Sequence, residues 1–375
     1  MLQKALVLVL GLAGIAGCAG CNTSSHYVYA TIPAVSQLAV YREDPYSGTL
    51  TELSGTPYTV GDGAHSLVID PAGKFLYVAN PGQGENDISR FAIASNGYLT
   101  EIQPRTPVGT NGNASQPSLL VMDPAGTYLY AMNTGSSNIS VFSIDSSSGV
   151  LTPIGSPVSL GQLTPLNMRL TPSGSFLYVS VAGGQPGTAN GTILGFSVNA
   201  GVLTSLNPPL TSSFGVNPNG LVIDPSGSYL YAANTQSNAI SIFAISAPNT
   251  PLGSLTQVQG SPLSTSPYND PTFLLVDPKG LYLYVANQGS NNVAVYSIDP
   301  TTGLPVALTT STSVFAFATE GSPSFLVEDP NGSSLFVGNQ GNGAGIQAFG
   351  VNSGNLNPLF TYGVGNTPSS IAVTQ

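Results

Sequence analysis

One phrase recurs through this 375-residue chain and leaves few folds open to it: a hydrophobic run ending in Asp-Pro-x-Gly, followed at once by a run of the type Leu-Tyr-Val-Ala-Asn. It reads LVIDPAGKFLYVAN from Leu67 to Asn80, LVMDPAGTYLYAMN from Leu120 to Asn133, RLTPSGSFLYVSV from Arg169 to Val181 and LVIDPSGSYLYAAN from Leu221 to Asn234. LVDPKGLYLYVAN (Leu275 to Asn287) and LVEDPNGSSLFVGN (Leu326 to Asn339) complete the set. The Asp slot falls at Asp70, Asp123, Thr171, Asp224, Asp277 and Asp329, at intervals of 53, 48, 53, 53 and 52 residues. A period of this length marks stacked supersecondary units, each burying its apolar face only against its neighbours.

Each unit reads as four short strands. In the first complete one, strand a is Ser66 to Asp70, strand b is FLYVAN, strand c is Ile88 to Ile93 and strand d is Leu99 to Ile102. Between a and b, Pro presets φ, the Asp carboxylate can bond backbone two residues on, and Gly supplies positive φ. No amphipathic helical pattern appears, and meanders of four Tyr-, Val-, Phe- and Ile-rich strands are what propeller blades look like in sequence. The two ends supply the count: Tyr27 to Thr31 reads as a strand b with no strand a before it, and Pro368 to Thr374 reads as a strand a with nothing after it. Six complete units and these two halves make an all-β, seven-bladed propeller of four-stranded antiparallel blades over 26–375, closed by terminal strands sharing one blade. An open solenoid would need polar caps that are not visible, whereas closure removes the exposed sheet edges.

Residues 1–17 read as an export signal, with Lys4 ahead of the apolar ALVLVLGLAGIAG. The stretch ends Ile15-Ala16-Gly17-Cys18, which resembles the lipobox of bacterial lipoproteins and makes Cys18 the expected lipidated residue, with 18–25 as its linker. Cys21 fits the slot poorly, because Cys18 would stand three residues before it. The expected partner on this side is therefore a membrane of the bacterial envelope, through the lipid, with the outer membrane or cell surface favoured because Ala19 is not an Asp retention signal. No cysteine lies beyond Cys21, so the folded body has neither a disulfide framework nor a catalytic or metal-binding thiol. Asp and Glu number 17 against 7 Lys and Arg, without a basic cluster, which excludes nucleic acid as a partner. A monomer is expected.

Asp-Pro-x-Gly, Leu-Tyr-Val-Ala-Asn and Ile-x-Val-Phe-x-Ile-Asp in register resemble the lactonase-like seven-bladed propellers, which include bacterial 6-phosphogluconolactonase, and the related YVTN-repeat proteins. The resemblance covers nearly all of the mature chain and is specific for fold; the repeated elements are structural and carry no activity of their own. It implies a site at the tunnel mouth, on the face carrying the d-to-a connections and long b-to-c loops. It also implies His and Arg in several blades at the start of strand a, five residues before the Asp slot. That position holds His65, Ser118, Leu166, Asn219, Thr272, Ser324 and Ser369, of which only His65 can titrate or carry charge. Arg169 and Glu328 break otherwise apolar inner strands in blades 4 and 7 and are the other tunnel candidates, because a buried charge needs a partner. The bland readings are a hydrogen-bonded loop histidine for His65 and a structural ion pair for the other two.

The turn aspartates are spread around a ring one per blade, and no Cys/His metal spacing, GxSxG or phosphate-cradling motif occurs, so neither a metal nor a cofactor is expected. The expected function is a non-catalytic binding or interaction module taking a neutral or carbohydrate-like ligand, or a protein, on its loop face. The alternative is a lactone hydrolase resembling 6-phosphogluconolactonase, with His65 as base and Arg169 as electrostatic support.

Overall fold

Asp70 shows why the repeated turn keeps its aspartate. In the computed structural model its Oδ1 accepts the N–H groups of Lys74 at 2.7 Å and Phe75 at 2.6 Å. Asp123 does the same for Thr127 and Tyr128, Asp277 for Leu281 and Tyr282, and Asp329 for Ser333 and Ser334. The expected bond two residues on is made by Oδ2 at Asp224, Asp277 and Asp329, to the N–H groups of Ser226, Lys279 and Asn331, and the farther reach of Oδ1, four and five residues, ties the end of strand a to the start of strand b. The structure describes residues 26–374 apart from 83, 110–114, 184–189, 309–315 and 342–344, and without the side chains of 208–210. Residues 1–25, with Cys18, lie outside the described residues.

The inner strands a are Ser370–Val373, Ser66–Ile69, Pro117–Met122, Thr164–Leu170, Pro218–Ile223, Pro271–Val276 and Ser322–Glu328 for blades 1 to 7. Each pairs with strand b, b with c and c with d, all antiparallel, giving seven sheets. Five sheets carry a fifth short strand that also pairs with c, as Thr106–Pro107 does in blade 2. Blades 4 and 7 instead have one long outer strand, Val202–Ser212 and Asn355–Gly363. The only helical segments among the described residues are three short 3-10 turns.

The apolar core is divided into seven clusters, each lying between two neighbouring blades. No sheet has a core of its own, so every blade is stabilised from both flanks. In blades 2 to 7 the c-to-d turn ends in a glycine at positive φ seated on the aromatic ring that opens strand b of the preceding blade. At Gly149 (φ +69°) a Cβ would lie 2.7 Å from the Phe75 ring, and at Gly97 (φ +81°) 2.1 Å from the Tyr27 ring, so both the conformation and the approach demand glycine. Two residues farther along strand b, Tyr29, Tyr77, Tyr178 and Tyr231 donate their hydroxyls to the carbonyls of Gly97, Gly149, Gly253 and Gly303 in the next blade. Burial raises the pKa of these hydroxyls, which keeps them as donors. Tyr130 and Tyr284 occupy the same position in blades 3 and 6, and their buried hydroxyls have no partner.

Closure is as expected. Ser370–Val373 pairs antiparallel with Tyr27–Ile32, with Ala30 opposite Ile371. Thr374 takes the aspartate's place in the missing turn, its Oγ1 accepting the Tyr27 N–H at 2.9 Å.

Deleting residues 368–375 removes the fully buried Ile371 and a row of strand bonds, together worth roughly 4 kcal/mol; thermal unfolding of the truncated chain is expected at a clearly lower temperature, and an unchanged melt would show that the ring does not depend on this strand. Tyr77→Phe strips the Gly149 carbonyl of its donor and should cost about 1–2 kcal/mol by denaturant titration, whereas Tyr130→Phe removes an unpartnered hydroxyl and should be neutral or stabilising.

Candidate functional site

Five inner strands slip register at the same point. The pairing jumps from Pro117 to Leu119, Pro165 to Asn167, Pro218 to Gly220, Pro271 to Phe273 and Pro323 to Phe325. The residue skipped each time is Ser118, Leu166, Asn219, Thr272 or Ser324, the position five before the Asp slot. Bulges re-aim a side chain by leaving it unpaired, and here they aim it at the tunnel axis. These five line one cavity of about 480 Å³ together with His65 and Ser369, which stand just before the shorter strands a of blades 2 and 1. Pro81, Gln116 and Thr134 contribute from the connections, so the cavity opens on the side of the d-to-a and b-to-c loops.

Side-chain bonds stitch this mouth from blade to blade. Ser369 Oγ donates to the His65 carbonyl at 2.6 Å, and His65 Nδ1 lies 2.9 Å from the Ser118 carbonyl. Asn167 Nδ2 donates to the Asn219 carbonyl at 2.8 Å, and Thr272 Oγ1 to that of Pro323 at 3.3 Å. Because a carbonyl oxygen only accepts, the His65 proton is on Nδ1, and in the neutral ring Nε2 is left as the basic nitrogen. His65 is exposed to the cavity and is the one titratable side chain among its lining residues.

One arc of the mouth is apolar. The residues just after the bulge include Leu119, Phe273 and Phe325, the two rings packing with centroids 4.5 Å apart. Gly220 holds the same position in blade 5, and a Cβ there would fall 2.9 Å from the Thr272 carbonyl oxygen, so only glycine lets these inner strands close up. Arg169 does not line the cavity. Its guanidinium lies 5.7 Å from the centroid of the Phe273 ring, which does, and donates to the Met168 carbonyl at 2.9 Å. Desolvation lowers its pKa to about 10, leaving it charged at neutral pH, and among the described residues no carboxylate pairs with it.

Glu328 is not in the mouth. It ends its strand beside the turn, in a groove between blades 6 and 7 lined by Asp277, Lys279 and Tyr284. Its Oε2 is buried without a partner, and desolvation, then the charges of Asp277 and Asp329, push its pKa up to about 8. Arg169 and Glu328 therefore do not pair, and neither shares the His65 cavity wall. The asparagines ending strand b are structural: Asn80 and Asn133 are fully buried and reach across to strand c, Asn80 Nδ2 to Asp87 and Ser89, Asn133 Nδ2 to Asn138 and Ser140. The sequence reading named the ring of seven but missed Asn167, Phe273 and Phe325, which a second column one residue later would have found. It was also silent on His26, whose imidazole is buried beside Glu43.

Known proteins bear on this arrangement in three ways. The profile of the family described as "Lactonase, 7-bladed beta-propeller" matches residues 19–167, 162–268 and 253–316. The 6-phosphogluconolactonase of Sodalis glossinidius is 26% identical over 351 residues, spanning 92% of this chain and 98% of its own. The 6-phosphogluconolactonase of Blochmanniella pennsylvanica is 28% identical over 220 residues, 57% of this chain and 59% of its own. Among solved structures, a putative 6-phosphogluconolactonase from Bacteroides fragilis superposes with a TM-score of 0.77 at 20% identity, covering 95% of this chain and 99% of that one. The Pseudomonas aeruginosa periplasmic gluconolactonase follows with a TM-score of 0.74 at 19% identity, covering 94% and 99%. These two likenesses bear on the fold alone, and the match of the family profile over most of the length carries the assignment: the chain belongs to the lactonase family of seven-bladed β-propellers.

Proposed function

We propose that this protein hydrolyses a neutral, sugar-like lactone at the tunnel mouth, with His65 Nε2 as general base. The observation that carries the reading is the tautomer: the Ser118 carbonyl fixes the proton on Nδ1 and leaves Nε2 as the basic nitrogen of a side chain that lines the cavity on the loop side. Family membership and the lactonase names of its relatives support hydrolysis over mere binding.

The substrate class follows from charge. Beyond Lys4 the chain has six Lys and Arg residues, and none lines the mouth. The loop segments 83, 110–114, 184–189, 309–315 and 342–344 contain neither residue type. A phosphorylated lactone would call for cationic, bidentate partners, and a mouth of hydroxyls and amides beside an apolar arc suits an uncharged polyol ring. His65 takes a proton from water as its oxygen attacks the lactone carbonyl, then returns that proton to the departing ring oxygen, leaving an open hydroxy acid. The hydroxyls of Ser118, Thr272 and Ser324 make only long bonds to carbonyls, 3.3 to 3.4 Å, and are available to turn toward the developing oxyanion. Arg169, unpaired behind Phe273, adds a positive potential from below. The product carboxylate leaves a protein whose net charge is −10.

The same reading puts the enzyme on the bacterial envelope, outer membrane or surface, tethered by diacylated Cys18. Exported lactones would then be its substrates.

Two measurements test this. Hydrolysis of glucono-1,5-lactone above the spontaneous rate, with little preference for its 6-phosphate, should fall by roughly 10²–10⁴ in His65→Ala and less in Arg169→Met; no acceleration with any lactone would return the mouth to a binding role. Growth with labelled palmitate should mark the wild type and leave Cys18→Ser unlabelled, and an unlabelled wild type would refute the anchor.

A further inference from the structure

The seam between blades 7 and 1 differs chemically from the other six. In strand c, the residue whose N–H bonds the carbonyl just ahead of strand b is Ile93, Ile144, Val198, Ile245, Ile298 or Val351 in blades 2 to 7, and Glu43 in blade 1. The aromatic ring on which the next blade's turn glycine rests is Tyr27, Phe75, Tyr128, Phe176, Tyr229 or Tyr282 in blades 1 to 6, and in blade 7 it is Ser334, against Gly48. A carboxylate has replaced an aliphatic side chain at the seam where a hydroxyl has replaced an aromatic ring. The resulting polar chamber also holds His26 and Asp329.

Glu43 is 0% exposed, His26 6% and Asp329 1%. Ligand atoms of the three lie within 4.8 Å of one another, and His26 Nδ1 is 3.4 Å from Glu43 Oε2. Asp329 is oriented by its turn, Oδ1 accepting from Ser333 and Ser334 N–H and Oδ2 from Ser333 Oγ at 3.0 Å. Neither Glu43 oxygen nor His26 Nδ1 has a hydrogen-bond partner of normal geometry, although the Ser334 hydroxyl stands beside the carboxyl. Two buried carboxylates and an imidazole, three of their atoms unpartnered, cost several kcal/mol unless something binds them.

We infer that His26, Glu43 and Asp329 form a structural site for a first-row divalent cation that fastens the ring at its closing seam. One imidazole nitrogen and two carboxylates suit Zn²⁺ or Mn²⁺ better than Ca²⁺, which takes six to eight oxygens. The backbone bonds that hold Asp329 are the outer-shell support such ligands carry. The site lies on the turn side of the molecule, away from the His65 mouth, so it stands apart from the proposed hydrolysis.

The full chain, purified in detergent and stripped with chelator, should bind Zn²⁺ one to one by calorimetry and melt several degrees higher at a hundredfold excess over Kd. Glu43→Ile restores the residue type of the other six seams and should fold, by circular dichroism, while losing the Zn²⁺ response; His26→Asn should weaken binding at least tenfold. Absent saturable binding in the stripped wild type, wild-type affinity in both variants, or an equal response to Ca²⁺ would each overturn the assignment.

Discussion

A glycine turn resting on the neighbouring blade's aromatic ring is the contact on which the assembly depends. Six of the seven seams use it, and four add a tyrosine hydroxyl bonded to the same glycine's carbonyl. With no sheet possessing its own core, these contacts set both the spacing and the tilt of the blades, and hence the width of the tunnel. The seam joining blades 7 and 1 has Ser334 and Phe336 in those two places, so the point where the ring is fastened is also the point where its standard joint is missing.

Much of this was legible because repetition makes a sequence its own alignment. The Asp slot, the four-strand unit and the half-units at the two ends gave blade number and closure, and the five-residue offset to the mouth survived because the bulge recurs in register in blades 3 to 7. The bulge itself was not legible. Its trace is the proline one position before the slot, at Pro117, Pro165, Pro218, Pro271 and Pro323, a residue without an N–H to keep the ladder regular. Glu328 was misplaced for a simple reason: both it and Arg169 interrupt apolar inner strands, but Glu328 stands next to the turn, at the other end from the mouth. The buried role of the asparagines was not legible because their partners, such as Ser89 and Ser140, lie in strand c, and strand alternation alone does not show which face a polar residue meets.

His26 and Glu43 escaped for a different reason. Each is unremarked within its own stretch, and Asp329 belongs to a turn nearly 300 residues away. Only reading down the columns of the repeat exposes Glu43 among isoleucines and valines, and Ser334 among tyrosines and phenylalanines. Departures from the repeat, rather than the repeat, mark where this chain does something its blades do not share.

Closing the ring inside a blade also fixes the order of events in folding. Blades 2 to 7 are each built from continuous chain and can form as they are synthesised, whereas Tyr27–Ile32 meets its inner partner only when Ser370–Val373 exists. Loop closure over so long a separation is entropically the slowest contact the molecule makes. Until then the first blade is a four-stranded sheet whose strand Tyr27–Ile32 has an open inner edge. The final strand is therefore the latch of the ring.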